Sequence, residues 1–165
     1  SALREALEPY VPLAALVAVS ALAGGALALG RAEPTLHDFM HGAMGFSLCA
    51  FALLKLFDLE GFADGFEMYD LLGRRSRAWA LAYPFLELAL GLAYFAHALP
   101  VLVYAATIAL FTFGSVGVVA ALRSGLDIDC PCMGNVLEVP LSTVTLAEDI
   151  GMVAMATALL ATAIA

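Results

Sequence analysis

The chain has 165 residues, of which 63% are hydrophobic and 13% are charged, and its mean hydropathy is +0.95. Soluble domains are about half apolar and about a quarter charged, and a soluble fold of this length cannot bury so much apolar surface. The net charge of −8 and the lack of a basic stripe exclude nucleic-acid binding. The composition therefore predicts an integral membrane protein that has the lipid bilayer as its surroundings.

Five stretches of the sequence are long and apolar enough to cross a bilayer, which needs roughly 20 residues of helix. The first has the length of a signal peptide, but Glu5 and Glu8 offset Arg4 and leave no positive n-region, so we predict a membrane span. Because the sequence starts at Ser1 and not at a methionine, we also expect a processed N-terminus. The predicted spans are Val11–Gly30, Phe39–Phe57, Trp79–Leu99, Val101–Leu122 and Thr143–Ala165.

The connection between the second and third spans has a helical pattern of its own. Phe62, Phe66 and Tyr69 recur at helical spacing, with acidic residues on the other faces. This pattern predicts a short amphipathic helix in the membrane interface. Between the third and fourth spans, Pro100 predicts a tight antiparallel hairpin.

We therefore predict an all-α integral membrane protein. Residues 37–165 form a four-helix transmembrane bundle, and residues 1–36 add an N-terminal transmembrane helix and a loop. Lys and Arg in short loops mark the cytoplasmic side of a membrane. The arginines before the third span and after the fourth fall on one side, so we expect this side, which includes the loop with Cys130 and Cys132, to be cytoplasmic in a bacterial inner membrane.

Several charged residues fall inside or close to the spans, where they need a partner or a cavity. By depth, Lys55 lies near the inner end with Glu148 and Asp149, which predicts a structural ion pair between the lysine and one of these carboxylates. The same lysine can stabilise a cysteine thiolate. Glu87 and Cys49 lie near the middle of the bilayer, where a carboxyl group either bonds to a neighbouring helix or belongs to a proton or cation path.

Two histidines share one helix face at the outer end of the second span, because His37 and His41 are four residues apart. Such a pair can hold a metal ion, although Asp38 and water can satisfy it as well. His97 has the same predicted depth at the end of the third span. Within the spans, the candidate metal ligands are His37, His41, Cys49 and Glu87.

The loop before the last span contains the sequence Cys130-Pro131-Cys132. Two residues apart on an extended chain, α-carbons are separated by roughly 6.6 Å, near the limit that a disulfide tolerates. A disulfide between these cysteines would be strained, and strained disulfides exchange readily. The same pair can hold one soft ion such as Cu(I), and by extension Hg(II). The motif therefore predicts thiol chemistry, but it does not distinguish disulfide exchange from the binding of a metal ion.

Three blocks of the sequence, in this order, resemble the MauE/DoxX-like redox-associated membrane proteins. They are HDFMHGAMGFSLCAFALLKLFDLEGFADGFEMYD, YPFLELALGLAYF and CPCMGNVLEVPLSTVTLAEDIGM, and the likeness covers residues 37–165. It implies a four-helix membrane bundle linked to thiol–disulfide handling, in a family named for methylamine dehydrogenase maturation. By matching position, the residues carried over are Lys55, Glu87, Cys130, Cys132 and Glu148.

Two functions fit these features, besides a plain assembly subunit. The first is a membrane thiol–disulfide redox protein that uses Cys130 and Cys132, with Lys55 as activator and a thioredoxin-like partner. The second is a transporter of mercury or copper that uses the same pair as a metal site, with a heavy-metal-associated protein as partner. A cytoplasmic pair would stay reduced and suit metal binding, whereas the resemblance favours the redox function.

Overall fold

The computed structural model describes residues 1–125 and 141–165, with the side chains of the last helix described from Leu146 onward. Within these residues the chain is helical and contains no strand. A short 3-10 turn, Glu8–Tyr10, connects the first two helices. The α-helices are α1 Ala2–Leu7, α2 Val11–Leu29, α3 Leu36–Leu56, α4 Leu59–Phe66, α5 Arg77–Ala96, α6 Pro100–Arg123 and α7 Leu141–Ile164.

Five of these helical stretches have the length and hydropathy of membrane spans. Each coincides with one of the predicted spans, so the all-α, five-span fold is confirmed, and the chain is a multi-pass membrane protein. Many large apolar side chains on these helices stay exposed, as a surface in contact with acyl chains requires. The spans are Ala2–Leu29, Leu36–Leu56, Arg77–Ala96, Pro100–Arg123 and Leu146–Ile164.

Local capping signals explain where the helices begin and end. Thr35 and Ser76 cap α3 and α5, because each side-chain oxygen accepts a hydrogen bond from the backbone N–H three residues on, at 3.1 and 3.2 Å. His97 and Leu99 have left-handed backbones, with φ of 52° and 43°. Pro100 then opens α6, where its missing N–H costs nothing. The predicted tight hairpin between the third and fourth spans is confirmed.

The spans pack in two groups: α3 lies between α2 and α5, and α6 packs against α7. Glycines allow the close crossings of the first group. A β-carbon on Gly42 would lie 2.9 Å from the α-carbon of Gly24, and one on Gly91 would lie 2.7 Å from Sγ of Cys49. Small residues let helix backbones approach closely in lipid, where the hydrophobic effect does not drive helices together.

The short helix α4 packs into the end of the bundle. Phe62 and Phe66 are 0% and 3% exposed, and their ring centroids lie 6.0 and 4.7 Å from that of Tyr83 on α5. The predicted amphipathic pattern is confirmed, but the helix ends at Phe66, so the buried Tyr69 lies in the following turn. A β-carbon on Gly117 of α6 would lie 3.2 Å from the Tyr69 carbonyl oxygen. The apolar side of this segment therefore covers the bundle end.

Candidate functional site

The first polar cluster, which we name the histidine cluster, comprises His37, His41 and His97 at the end of the bundle where α3 begins and α5 ends. The left-handed backbone of His97 follows α5 directly and places its ring beside the two rings of α3. The ring centroids of His37 and His41 are 4.4 Å apart, and those of His41 and His97 are 4.2 Å apart. One nitrogen of each ring lies within 4.8 Å of the others. The third histidine thus joins the first two, as its predicted depth indicated.

The buried member of this cluster, His41, is held by hydrogen bonds at both ring nitrogens. Its Nδ1 lies 2.9 Å from the carbonyl oxygen of Tyr94, and its Nε2 contacts the hydroxyl of Tyr104. Because a carbonyl only accepts, Nδ1 carries the proton and Nε2 accepts from the phenol. The same hydroxyl lies 3.3 Å from Nε2 of His37. Tyr104 was not predicted from the sequence, since it lies inside an apolar span with no polar pattern around it.

The second polar cluster, which we name the carboxylate cluster, comprises Lys55, Glu87, Glu148 and Asp149 near the opposite end. Lys55 donates to Oε2 of Glu87 at 2.7 Å, and the two side chains are 3% and 0% exposed. The ion pair therefore differs from the predicted one, in which Glu148 or Asp149 was the partner of Lys55. Side chains lean toward the N-terminus of their own helix, so Lys55 on α3 and Glu87 on the antiparallel α5 lean toward each other.

The other two carboxyl groups line the same small pocket as Lys55, which has a volume of about 20 Å³ and can hold one water molecule. Asp149 accepts a hydrogen bond from Oγ of Ser115 at 3.2 Å. One oxygen of Glu87 and one of Glu148 are buried without a hydrogen-bond partner among the described residues. The carboxylate cluster therefore has unused hydrogen-bond acceptors inside the bundle.

Aromatic side chains enclose this cluster on the side of α4. The Lys55 ammonium lies 5.8 Å from the ring centroid of Phe62 and 5.9 Å from that of Tyr83, within the range of cation–π attraction. Burial, with the nearby charge of Asp149, raises the pKa of the Tyr69 hydroxyl well above its usual value. The phenol of Tyr69 is therefore a hydrogen-bond donor at neutral pH.

The carboxylate cluster lies at the end of the bundle where the segment with the cysteine pair is anchored. Ser115 is eight residues before Arg123 at the end of α6, and Asp149 is eight residues after Leu141 at the start of α7. Eight residues of helix measure about 12 Å. The two helix ends that flank residues 126–140 are thus each about two helical turns from the cluster.

The cysteines fall into two groups. Cys49 packs against Gly91 at the crossing of α3 and α5, and neither it nor Glu87 belongs to the group of possible metal ligands found among the described residues, which is the histidine cluster. Cys130 and Cys132 lie outside the described residues. Their thiol chemistry and the activating role of Lys55 stay predictions.

Comparison with known proteins places the chain in a family. The family described as methylamine utilisation protein MauE matches residues 33–162, while no curated protein and no solved structure matches the chain. The matched region extends from just before α3 into α7, and includes both polar clusters and the cysteine pair. The DoxX-like part of the resemblance stays a prediction. Because the match covers most of its length, the chain belongs to the MauE family of membrane proteins.

Proposed function

We propose that the chain is a membrane thiol–disulfide exchange protein whose reacting pair is Cys130 and Cys132. The observation that carries this proposal is the presence of the Cys-Pro-Cys sequence inside the region that matches the MauE family, residues 33–162. Cys49 does not compete for this role, because it is packed against Gly91 between two helices.

The exchange balances without a further reagent when the partner is a protein with two thiols. A thiolate of the partner attacks the disulfide of the pair, the bond between Cys130 and Cys132 breaks, and a mixed disulfide forms. The second thiolate of the partner then releases the chain. Two electrons and two protons pass to Cys130 and Cys132, and the partner leaves as a disulfide. The strain expected of a disulfide at this spacing favours this direction.

Lys55 has a supporting role in this proposal. Its ammonium lies beneath the end of the bundle that anchors the cysteine segment, and a positive charge favours a thiolate, although Glu87 at 2.7 Å offsets part of this charge. In a Lys55→Met variant, we expect alkylation of the pair at constant pH to slow, with recovery in Lys55→Arg. Equal alkylation rates in all three proteins would exclude this role for Lys55 and leave the exchange itself standing.

Differential alkylation of intact cells, followed by mass spectrometry, tests the exchange. A membrane-impermeant thiol reagent applied before lysis reports the side of the membrane on which the pair lies and its oxidation state. We expect the pair to cycle between two thiols and a disulfide when the cells are oxidised and reduced. Thiols that stay reduced under oxidation would contradict the proposal.

A trapping experiment provides the second test. In a Cys132→Ser variant, the thiolate of Cys130 can still attack the disulfide of an oxidised partner, which is the reverse of the step above, but Cys132 is absent and cannot resolve the mixed disulfide. We therefore expect a covalent complex that a reductant releases. The matched control, Cys49→Ala, keeps the pair and should trap nothing. If neither Cys132→Ser nor Cys130→Ser captures a protein, and the mass of the oxidised chain is unchanged, the exchange function is wrong.

A further inference from the structure

We propose that the histidine cluster binds a divalent transition-metal ion of the Zn²⁺ class, at a site separate from the cysteine pair. Three imidazole nitrogens lie within 4.8 Å of one another. Around a tetrahedral ion with metal–nitrogen distances of about 2.1 Å, ligand nitrogens lie about 3.4 Å apart. From separations of up to 4.8 Å, the nitrogens need to approach one another by up to roughly 1.4 Å, through rotation of the histidine side chains.

The hydrogen bonds of the cluster present the Nε2 atoms as ligands. His41 and His97 both direct Nδ1 at a backbone carbonyl, of Tyr94 at 2.9 Å and of Phe95 at 3.3 Å. Metal-binding histidines commonly donate their other N–H to a carbonyl, which fixes the tautomer and leaves Nε2 free to bind. The Nε2 atoms of His41 and His37 both face the hydroxyl of Tyr104, and an ion bound by both nitrogens would displace that hydroxyl.

The unsatisfied Nε2 atom of His97 is the strongest indication that the cluster binds a ligand. This atom is buried without a hydrogen-bond partner, and the nearest carboxylate oxygen, Oδ1 of Asp38, is 3.9 Å away, too far for a hydrogen bond. Thr35 holds the other oxygen of that carboxylate, because its Oγ1 donates to Oδ2 at 2.8 Å. A cation beside Nε2 of His97 would satisfy this atom, and Oδ1 of Asp38, which also lies 4.0 Å from Nε of Arg31, would face the same cation.

The ligand chemistry selects the class of metal. Three imidazoles with one carboxylate suit Zn²⁺ and the neighbouring ions Co²⁺, Ni²⁺ and Cu²⁺, whereas Hg²⁺ and Cu⁺ prefer thiolates and Mg²⁺ and Ca²⁺ prefer oxygen. The three histidines supply the mutually close ligand atoms, and the carboxylate of Asp38 lies beside them, 3.9 Å from Nε2 of His97. A cavity of about 200 Å³ lined by Arg31, Asp38 and His97 adjoins the site and offers an ion a route to it.

Metal titration of the purified full chain in detergent tests the site. We use Zn²⁺ in competition with a chromophoric chelator, and Co²⁺ as a spectroscopic probe. We expect one ion per chain, and visible Co²⁺ bands without the charge-transfer band of a thiolate ligand. The Cys130→Ser/Cys132→Ser double variant should bind Zn²⁺ as tightly as the unmodified chain.

Variants of the cluster separate binding from folding. Loss of a ligand in His97→Ala or in the exposed His37→Ala should weaken Zn²⁺ binding by about 100-fold or more, the upper range for loss of an outer-shell partner. Tyr94→Phe is the matched control, because it removes a hydroxyl that bonds to Thr107 but keeps the carbonyl that holds His41. Thermal unfolding without metal shows that each variant is folded, and Zn²⁺ should raise the melting temperature of Tyr94→Phe but not of His97→Ala.

Three results would overturn the proposal. The first is no binding of Zn²⁺ or Co²⁺ by the folded chain. The second is equal binding by the chain and by the histidine variants. The third is binding that disappears in the cysteine double variant, which would assign the ion to the thiols. The first two results leave untouched the thiol exchange, which the alkylation and trapping experiments test separately.

Discussion

The two polar clusters of this membrane bundle place ionisable groups in lipid in opposite ways. The histidine cluster uses groups that are stable when uncharged and keeps one side open, with the side chain of His97 34% exposed. The carboxylate cluster encloses Lys55 and Glu87, which are 3% and 0% exposed, and covers them with α4. The open cluster is built to admit a ligand, while the closed one holds charge inside the bundle.

Mutations in the closed cluster are expected to cost more stability than mutations in the open one. Removing two charges from water costs several kcal/mol each, which a single contact barely offsets. The pair is therefore most sensitive to the loss of one partner, because a lone charge would remain buried. Neutral imidazoles and a phenol lose only hydrogen bonds, so the open cluster should tolerate change better.

The largest effect is expected from Glu87→Gln, which removes the charge opposite Lys55. The free energy of unfolding should fall by about 3–5 kcal/mol, since the buried Lys55 loses the carboxylate to which it donates. Equilibrium unfolding in detergent measures the change. If Lys55→Met/Glu87→Leu is as unstable as Glu87→Gln, the loss does not come from the unpaired charge, because an apolar pair of similar size should restore most of the stability.

An intermediate effect is expected from Tyr104→Phe in the open cluster. Without the phenol, Nε2 of His41 has no donor, which should cost about 1–3 kcal/mol of unfolding free energy in the absence of metal. Saturating Zn²⁺ should reduce this loss of stability, because Nε2 of His41 is then bound to the metal ion. Tyr94→Phe is the comparison: its loss should not depend on Zn²⁺. A loss in Tyr104→Phe that is the same with and without Zn²⁺ would argue against the metal site.

The smallest effect is expected at the exposed end of α4, where the guanidinium of Arg77 lies 2.5, 2.6 and 3.0 Å from the carboxylates of Glu60, Asp64 and Glu67. Ion pairs in water contribute little and are screened by salt. Glu60→Gln should leave the melting temperature unchanged within error, and any small decrease should vanish in high salt. If Glu60→Gln lowered the free energy of unfolding as much as Glu87→Gln, solvent exposure would not explain the difference between the two kinds of ion pair.

The sequence was sufficient for the architecture. Apolar length located all five spans, and Pro100 located the hairpin. The aromatic spacing of Phe62 and Phe66 identified the buried face of α4. These features depend on local pattern, which hydropathy and helical periodicity report directly.

The pairing of side chains depended on information that the sequence pattern lacks. Depth along the bilayer grouped Lys55 with Glu148 and Asp149, but depth is one coordinate, and the lean of each side chain along its helix decided that Glu87 is the partner. Tyr104 escaped notice because a lone tyrosine in an apolar span carries no signal until the facing helix is known. Depth alone predicted the correct neighbours only for His97, which follows the end of α5 beside the start of α3.

The packing of α4 also has a consequence for the order in which the protein is assembled. The turn after α4 rests on Gly117 of α6, and the pocket behind Phe62 and Phe66 is completed by Asp149 of α7. When α3 and α5 first enter the bilayer, α6 and α7 follow later in the chain, so neither of these surfaces is yet in place. The segment between them can therefore reach its final position only after the last span is inserted, so closure over the buried lysine is a late step in biogenesis.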